Sequence, residues 1–167
     1  MVEIERKFIL LKIPNSLPKS EIKQGYLQTD KDRTVRIRSI TDTDGFIKNI
    51  LTIKGPSSEN GMSRFEYETS IPEKNAKDLF SLCYKPLIEK TRHIYIFDGM
   101  KWELDEFHEA NKGLLIGEIE LKSESVNFKL PNFILEEVTG KKKYYNSMLQ
   151  KYPFSDWEKG SSVIFYA

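Results

Sequence analysis

Charged residues of one sign recur two positions apart along much of this sequence. The pairs are Glu3 and Glu5, Arg36 and Arg38, Glu66 and Glu68, Lys90 and Arg92, Glu103 and Asp105, and Glu118 and Glu120. Alternate residues of a β-strand share one face, roughly 7 Å apart, and like charges at that distance repel by about 2 kcal/mol at an effective dielectric near 20. Several such pairs would erode a folding stability of about 5–15 kcal/mol, so they indicate a function rather than a merely solvated surface.

The basic and acidic pairs favour complementary ligands. Clusters of arginine and lysine bind phosphate oxygens, and arginine does so through two parallel hydrogen bonds. Clustered carboxylates without a nearby histidine or cysteine suit a hard cation such as Mg²⁺ or Mn²⁺. Both kinds of group in one cavity would form a site for a metal-bound polyphosphate. The sequence has no glycine-rich phosphate loop of the P-loop type, so side chains would have to hold the phosphates.

Period-two alternation predicts eight strands that would carry these pairs. They are expected at 2–10, 22–28, 33–40, 46–54, 63–70, 91–97, 100–107 and 114–122. Turn residues between most of them favour hairpins and an antiparallel sheet. Closing the sheet turns the charged faces inward, where eight strands leave room for side chains or one small ligand. We therefore expect an α+β fold, an eight-stranded antiparallel β-barrel or tunnel with flanking helices.

Helical spacing predicts two helices beside the barrel. A capping box at 70–73 would begin the first, Cys83 would lie on its apolar face, and Pro86 would end it. The second is expected from Tyr145 to Tyr152. Residues 131–133 fall in a connecting segment, and the residues from 153 onward show no clear pattern.

Whole-chain properties fit one domain with an ordinary composition. The chain has 167 residues, 31% charged and 39% apolar, which is long enough for a core of its own. A net charge of +1 favours neither nucleic acid nor a membrane surface as a partner. The single cysteine allows no internal disulfide and fits a reducing compartment. Without a signal-peptide pattern or an apolar run of membrane-spanning length, we expect a cytoplasmic protein.

The ordered motifs resemble those of the CYTH domain, the family of triphosphate tunnel metalloenzymes. Glu3-Ile4-Glu5-Arg6-Lys7 matches the ExExK signature of that family. The further matching segments are Gln24-Gly25-Tyr26-Leu27, Arg36-Ile37-Arg38, Thr52-Ile53-Lys54-Gly55, Arg64-Phe65-Glu66-Tyr67-Glu68, Lys90-Thr91-Arg92, Trp102-Glu103-Leu104-Asp105-Glu106-Phe107, Gly117-Glu118-Ile119-Glu120-Leu121 and Glu137-Val138-Thr139, with Tyr144 and Asn146. Residues 1–167 are expected to form a single CYTH-like domain, with the resemblance ending near residue 150 and the tail 153–167 unassigned.

The resemblance implies a tunnel that binds a triphosphate through basic side chains and one or two divalent metal ions, Mg²⁺ or Mn²⁺. The implied metal ligands are Glu3, Glu5, Glu118 and Glu120, with Asp105 as a further candidate. The implied phosphate-binding residues are Lys7, Arg36, Arg38, Lys54, Arg64, Lys90 and Arg92. Lys7 and Tyr26 correspond to a catalytic pair proposed for inorganic triphosphatases of the family. For Glu66 and Glu68, the roles of metal ligand and of ion-pair partner to an arginine are equally supported. Glu103 is expected to be an ion-pair partner.

Three functions stay open from the sequence. The first is metal-dependent hydrolysis of a triphosphate, with inorganic tripolyphosphate favoured over nucleoside or thiamine triphosphate because no base-recognition motif stands out. The second is formation of cyclic AMP from ATP, as in the class IV adenylyl cyclases of the same family. The third is a polyphosphate-binding module without turnover, which the intact acidic set disfavours. The sequence also leaves open whether the chain forms a homodimer.

Overall fold

Eight long β-strands close into a barrel in this computed structural model, which describes residues 1–157. They are β1 (Val2–Leu10), β2 (Lys19–Asp30), β3 (Arg33–Asp42), β4 (Ile47–Ser57), β5 (Ser63–Ser70), β6 (Ile88–Phe97), β7 (Met100–Phe107) and β8 (Leu115–Glu120). Antiparallel neighbours follow the order β5-β4-β3-β2-β6-β7-β8-β1, and β1 pairs with β5 to close the ring. The predicted eight-stranded antiparallel barrel is confirmed.

The strand β1 divides one of its edges between two partners. Its first residues pair with β5, where Glu3 lies opposite Arg64. Its last residues pair with a short strand β9 (Ile134–Glu137), where Phe8 lies opposite Glu137. The sequence pattern does not predict β9, because the strand has only four residues and was expected to belong to a connecting segment.

Two α-helices, α1 (Glu73–Ser81) and α2 (Asn146–Lys151), lie beside the barrel, together with 3₁₀ turns at 109–111, 142–144 and 154–156. The predicted capping box is wrong, because Pro72 is the N-cap of α1 and no side chain among residues 1–157 caps the start of this helix. The predicted end at Pro86 is also wrong: α1 ends at Ser81, and the Tyr84 N–H donates to the Tyr26 carbonyl of β2 at 2.9 Å. No helix within residues 1–157 is both long and apolar enough to cross a membrane.

The inward face of the barrel changes from charged to apolar along its axis. Along β1 the inward residues pass from Glu3, Glu5 and Lys7 to the buried Ile9, and β6 passes in the same way from Lys90 to Ile88. The apolar ends of these strands form one cluster, which also includes Tyr26, Phe107, Leu114, Ile116, Val138, Tyr144, Leu149 and Trp157. This cluster fills one end of the barrel, so the charged side chains are confined to the remaining space.

Two further apolar clusters cover the outer surface of the barrel. One lies under α1 and joins Ile37 to Ala76 and Cys83. The predicted burial of Cys83 is confirmed, although the residue lies just beyond the helix. The other cluster is centred on Phe8, Trp102 and Phe133 and includes Phe128 from the segment between β8 and β9. With both clusters packed outside, the strands can keep their charged residues turned inward.

Gly25 allows the segment after α1 to lie directly against β2. A Cβ atom at this position would stand 2.7 Å from the Cys83 Sγ and 2.8 Å from both the Cys83 Cβ and the Leu87 Cδ2. We therefore expect Gly25→Ala to lower the free energy of unfolding by about 1–3 kcal/mol through overpacking. Urea denaturation of the two proteins measures this difference. An unchanged unfolding midpoint would mean that the segment carrying Cys83 and Leu87 moves away from β2 at little cost in free energy.

Candidate active site

Five of the six charged pairs of the sequence, and one member of the sixth, line one cavity of about 210 Å³ inside the barrel. Of the residues predicted for the site, the structure brings together Glu3, Glu5, Lys7, Tyr26, Arg36, Arg38, Lys54, Arg64, Lys90, Arg92, Glu118 and Glu120. Glu66, Glu68 and Glu103 line the same cavity. Asp105 is the one predicted site residue that does not line it, and it lies buried behind the cavity wall.

Acidic and basic side chains occupy opposite walls of this cavity. The carboxylates come from four strands that are adjacent around the ring, β7, β8, β1 and β5. Most of the bases come from strands in the rest of the ring, β4, β3 and β6, and Lys7 and Arg64 are the basic residues placed among the acids. The barrel therefore has one wall suited to cations and one suited to anions.

Glu118 is the centre of the acidic wall. Its carboxylate lies 3.7 Å from the Lys7 Nζ and 3.2 Å from the Arg92 Nη2. Burial alone would raise the pKa of Glu118, but the charges of Lys7 and Arg92 outweigh burial and hold the pKa well below its ordinary value. Glu118 therefore carries a full negative charge inside the barrel at neutral pH.

Glu5 is in the opposite electrostatic situation. Burial, reinforced by the negative charges of Glu118 and Glu3, raises the pKa of Glu5 to about 8. Carboxyl groups thus crowd together here at an electrostatic cost, which a bound cation would relieve.

A similar arrangement lies nearer the start of β1. The Lys54 Nζ is 2.7 Å from the Glu3 carboxylate and 3.4 Å from that of Glu66. Burial and the negative charge of the neighbouring Glu3 raise the pKa of Glu66 to about 7. Burial, together with Glu3 and Glu103, also raises the pKa of Glu120. The acidic wall therefore holds more carboxyl groups than its bases can neutralise.

The donor chemistry of this wall fits a divalent cation. Glu3, Glu5, Glu118 and Glu120 offer carboxylate oxygens, the ligands that Mg²⁺ and Mn²⁺ prefer. A preformed metal site would need at least three Asp, Glu, His or Cys side chains close together. The part of the chain that the structure describes contains no such group. The contacts explain this spacing, because Lys54 holds Glu3 and both Lys7 and Arg92 hold Glu118.

Asp105 anchors the basic wall from behind. Arg92 donates to both of its carboxylate oxygens at 2.8 Å, and the Lys90 Nζ lies 2.7 Å away. Asp105 and Lys90 are each only 1% exposed. Burial alone would raise the pKa of Asp105, but Arg92 and Lys90 outweigh it and keep the pKa below its ordinary value. These contacts orient two phosphate-binding candidates and leave Asp105 without access to the cavity.

The positive charges of the basic wall are only partly neutralised by the carboxylates around them. Burial, together with the charges of Arg36 and Arg92, lowers the pKa of Arg38 to about 9. Arg36 donates to the Thr52 hydroxyl at 3.2 Å, yet its buried Nε has no hydrogen-bond partner within residues 1–157. A bound polyanion would both relieve the repulsion between these arginines and accept their free N–H groups.

Lys7 and Tyr26 lie on the cavity surface with distinct surroundings. Burial alone would lower the pKa of Lys7, but Glu118 and Glu5 outweigh it and raise the pKa above its ordinary value. Lys7 is therefore a stable cation near neutral pH, which suits charge stabilisation rather than proton abstraction. The Tyr26 hydroxyl accepts a hydrogen bond of 3.3 Å from the Gln24 amide.

Several lining residues were given no role from the sequence. Three of them, Tyr145, Asn146 and Ser147, enter the cavity from the start of α2. Ser57 enters from the end of β4, and Met62 enters from the position just before β5. The hydroxyl groups of Ser57 and Tyr145 lie 3.4 Å apart and link the two segments. Asn146 does belong to a motif of the sequence, but these residues come from turns and helix ends where no period-two pattern reveals an inward face.

Comparison with known proteins places this barrel in a family. A family model described as the CYTH domain matches residues 1–153. The chain belongs to the CYTH domain family. The family resemblance drawn from the ordered motifs is thereby confirmed.

Two curated relatives of this CYTH domain protein are both named inorganic triphosphatase. The one from Acetivibrio thermocellus is 45% identical over 160 residues, covering 94% of this chain and 98% of the relative. The one from Nitrosomonas europaea is 36% identical over 154 residues, covering 89% and 97%. A solved inorganic triphosphatase structure is 32% identical, covers 89% of this chain and 93% of its own, and superimposes with a TM-score of 0.63.

Proposed function

We propose that this CYTH domain protein hydrolyses inorganic tripolyphosphate with the help of Mg²⁺ or Mn²⁺. The observation that carries the proposal is the cavity itself, where a basic wall faces an acidic wall inside a barrel whose far end is filled by apolar side chains. The names of the relatives from Acetivibrio thermocellus and Nitrosomonas europaea support the same activity.

The dimensions and lining of the cavity favour an inorganic substrate. Pockets for drug-sized organic ligands commonly measure about 300–1,000 Å³ and are mostly apolar. This cavity measures about 210 Å³, and its lining is mostly charged. A nucleoside triphosphate would have to leave its base and sugar outside the barrel, so the favourable contacts would be those with the phosphates.

Binding would exchange partners across the cavity. Lys7, Arg36, Arg38, Lys54, Arg64, Lys90 and Arg92 would hold the phosphate groups. When phosphate oxygens replace Glu118 as the partners of Lys7 and Arg92, its carboxylate becomes free, and Lys54 can release Glu3 in the same way. The freed carboxylates, with Glu5 and Glu120, would hold the divalent cation. This exchange explains why the carboxylates need not be gathered before substrate arrives.

The reaction is the attack of water on the terminal phosphoryl group. The new oxygen–phosphorus bond forms as the bond to the leaving pyrophosphate breaks. The attacking water loses a proton, so the products are phosphate, pyrophosphate and a proton that passes to the solvent. The metal ion would supply Lewis-acid polarisation of phosphoryl oxygens and orient the water. Lys7 and the arginines would neutralise the charge that develops on the leaving group. The Tyr26 hydroxyl, oriented by Gln24, would contact the reacting phosphate.

A substrate panel tests this function. We expect phosphate release from tripolyphosphate in the presence of Mg²⁺ or Mn²⁺, with at least about tenfold lower kcat/KM for ATP and thiamine triphosphate and none after chelation. Phosphate release and cyclic AMP are measured in the same reactions. Cyclic AMP and pyrophosphate from ATP would instead indicate a cyclase, and tight tripolyphosphate binding without turnover under either metal would indicate a binding module.

A further inference from the structure

Asn146 joins the basic wall to the opening residues of α2. Its Oδ1 accepts hydrogen bonds from the Gln24 Nε2 and from the Lys90 Nζ, each at 3.0 Å. The residue also lines the cavity. A side-chain amide has an acceptor end and a donor end, so the orientation of Asn146 decides which of them the cavity receives.

The partners of the amide determine this orientation without ambiguity. The guanidinium of Arg38 can only donate, and its Nε donates to the Gln24 Oε1 at 2.9 Å. The Gln24 Nε2 must therefore point the other way, toward Asn146. The ammonium group of Lys90 can also only donate. Because both neighbours of Asn146 present donors, its oxygen must face them, and its NH₂ group occupies the other arm of the amide.

The NH₂ group of Asn146 has no hydrogen-bond acceptor within residues 1–157, although its Oδ1 has two donors. We propose that the Asn146 Nδ2 donates a hydrogen bond to a phosphate oxygen of the substrate. This inference rests on the proposed triphosphatase function and adds a neutral, directional donor to a wall of lysines and arginines. The chain of bonds from Arg38 through Gln24 holds that donor in place before substrate binds.

Two substitutions separate donation to substrate from simple support of the wall. Asn146→Asp keeps an oxygen for Gln24 and Lys90 but replaces the donor by an anionic oxygen facing the phosphates. Asn146→Ala removes both ends of the amide. Since a hydrogen bond to a charged group contributes substantially to binding, we expect kcat/KM for tripolyphosphate to fall about tenfold to a hundredfold in Asn146→Ala and further in Asn146→Asp.

A matched control uses an exposed asparagine. Asn127 is exposed and does not line the cavity, so Asn127→Asp should leave kcat/KM within about twofold of the unchanged protein. Thermal unfolding of each variant sets an assay temperature at which it is folded.

The outcomes distinguish this inference from the proposed function. Full activity of Asn146→Asp, with impaired Asn146→Ala, would show that the amide only supports Gln24 and Lys90 and would overturn the inference. Full activity of Asn146→Ala would overturn it as well, even if Asn146→Asp fails to fold. Failure of the unchanged protein to hydrolyse tripolyphosphate would contradict the proposed function itself.

Discussion

Replacing Glu118 by glutamine should lower metal-dependent hydrolysis of tripolyphosphate by at least about a hundredfold. Groups that merely orient metal ligands typically contribute about 10–100-fold, and Glu118 is proposed as a ligand itself. The substitution removes the negative charge at the centre of the acidic wall, where Glu5, Lys7 and Arg92 converge. It preserves the size of the side chain, so the cavity keeps its shape.

The same variant should keep its affinity for the substrate anion. Lys7 and Arg92 lose a competing carboxylate in Glu118→Gln, and both stay available for phosphate oxygens. We therefore expect tripolyphosphate, titrated calorimetrically without added metal, to bind the variant at least as tightly as it binds the unchanged protein. Loss of turnover with retained binding would separate the acidic wall from the basic one.

An exposed glutamate on β9 provides the control for this experiment. Glu136 forms a surface ion pair with Lys141 at 3.1 Å, outside the cavity. Glu136→Gln should leave both activity and binding unchanged, since exposed pairs contribute at most about 1 kcal/mol to stability. Full metal-dependent activity of Glu118→Gln would refute the ligand role of Glu118.

The inward faces of the strands were predictable because strand geometry alone determines them. Successive side chains alternate, so Glu3 must share a face with Glu5 whatever the tertiary structure. Repeated like-charge pairs would destabilise an open sheet without serving a function. A closed sheet that places them around one cavity was therefore the better prediction. The structure shows how that repulsion is offset: Lys54 bridges Glu3 and Glu66, and a raised pKa weakens the negative charge of Glu5 near neutral pH.

Depth inside the barrel was not predictable from the same pattern. Glu103 and Asp105 share a face of β7 by alternation, yet Glu103 lines the cavity and Asp105 lies buried behind Lys90 and Arg92. Which of them reaches the cavity depends on the register between β6 and β7 and on the level at which the apolar cluster fills the barrel. The local sequence determines neither the register of these strands nor the level of the apolar cluster.

The sequence pattern also did not predict the contacts that α2 makes with the barrel. Asn146 reaches Gln24 and Lys90 across separations of 122 and 56 residues. The motif set identified the residue, but a role for an amide depends on which of its ends faces the cavity. That orientation follows only from donors placed by other strands. Polar residues on turns and helix ends thus supply the part of the site that strand periodicity misses.

The substitution Asp105→Asn should lower the free energy of unfolding by about 3–5 kcal/mol, because it leaves Lys90 and Arg92 buried without their shared counter-charge. Urea denaturation at neutral pH measures the loss. The exposed pair of Asp30 and Arg33, 3.8 Å apart, offers the matched control, and Asp30→Asn should change the stability by no more than about 0.5 kcal/mol.

The pH dependence of this loss follows from the pKa of Asp105. The folded protein holds that pKa below its ordinary value, so the carboxylate contributes its full stability above the ordinary range. The contribution disappears as the pH falls through the lowered pKa of the folded state. The difference in stability between Asp105→Asn and the unchanged protein should therefore be largest near neutral pH and shrink below about pH 4.

Tripolyphosphate should rescue part of the stability of Asp105→Asn, which distinguishes a buried anchor from a metal ligand. An anion bound to Lys90 and Arg92 replaces the missing counter-charge, and any ligand that binds only the folded state stabilises it by mass action. We expect added tripolyphosphate, without metal, to raise the unfolding midpoint of the variant more than that of the unchanged protein. If the variant instead matched the unchanged protein in stability but lost its affinity for Mn²⁺, Asp105 would be a ligand, and the basic wall would need another anchor.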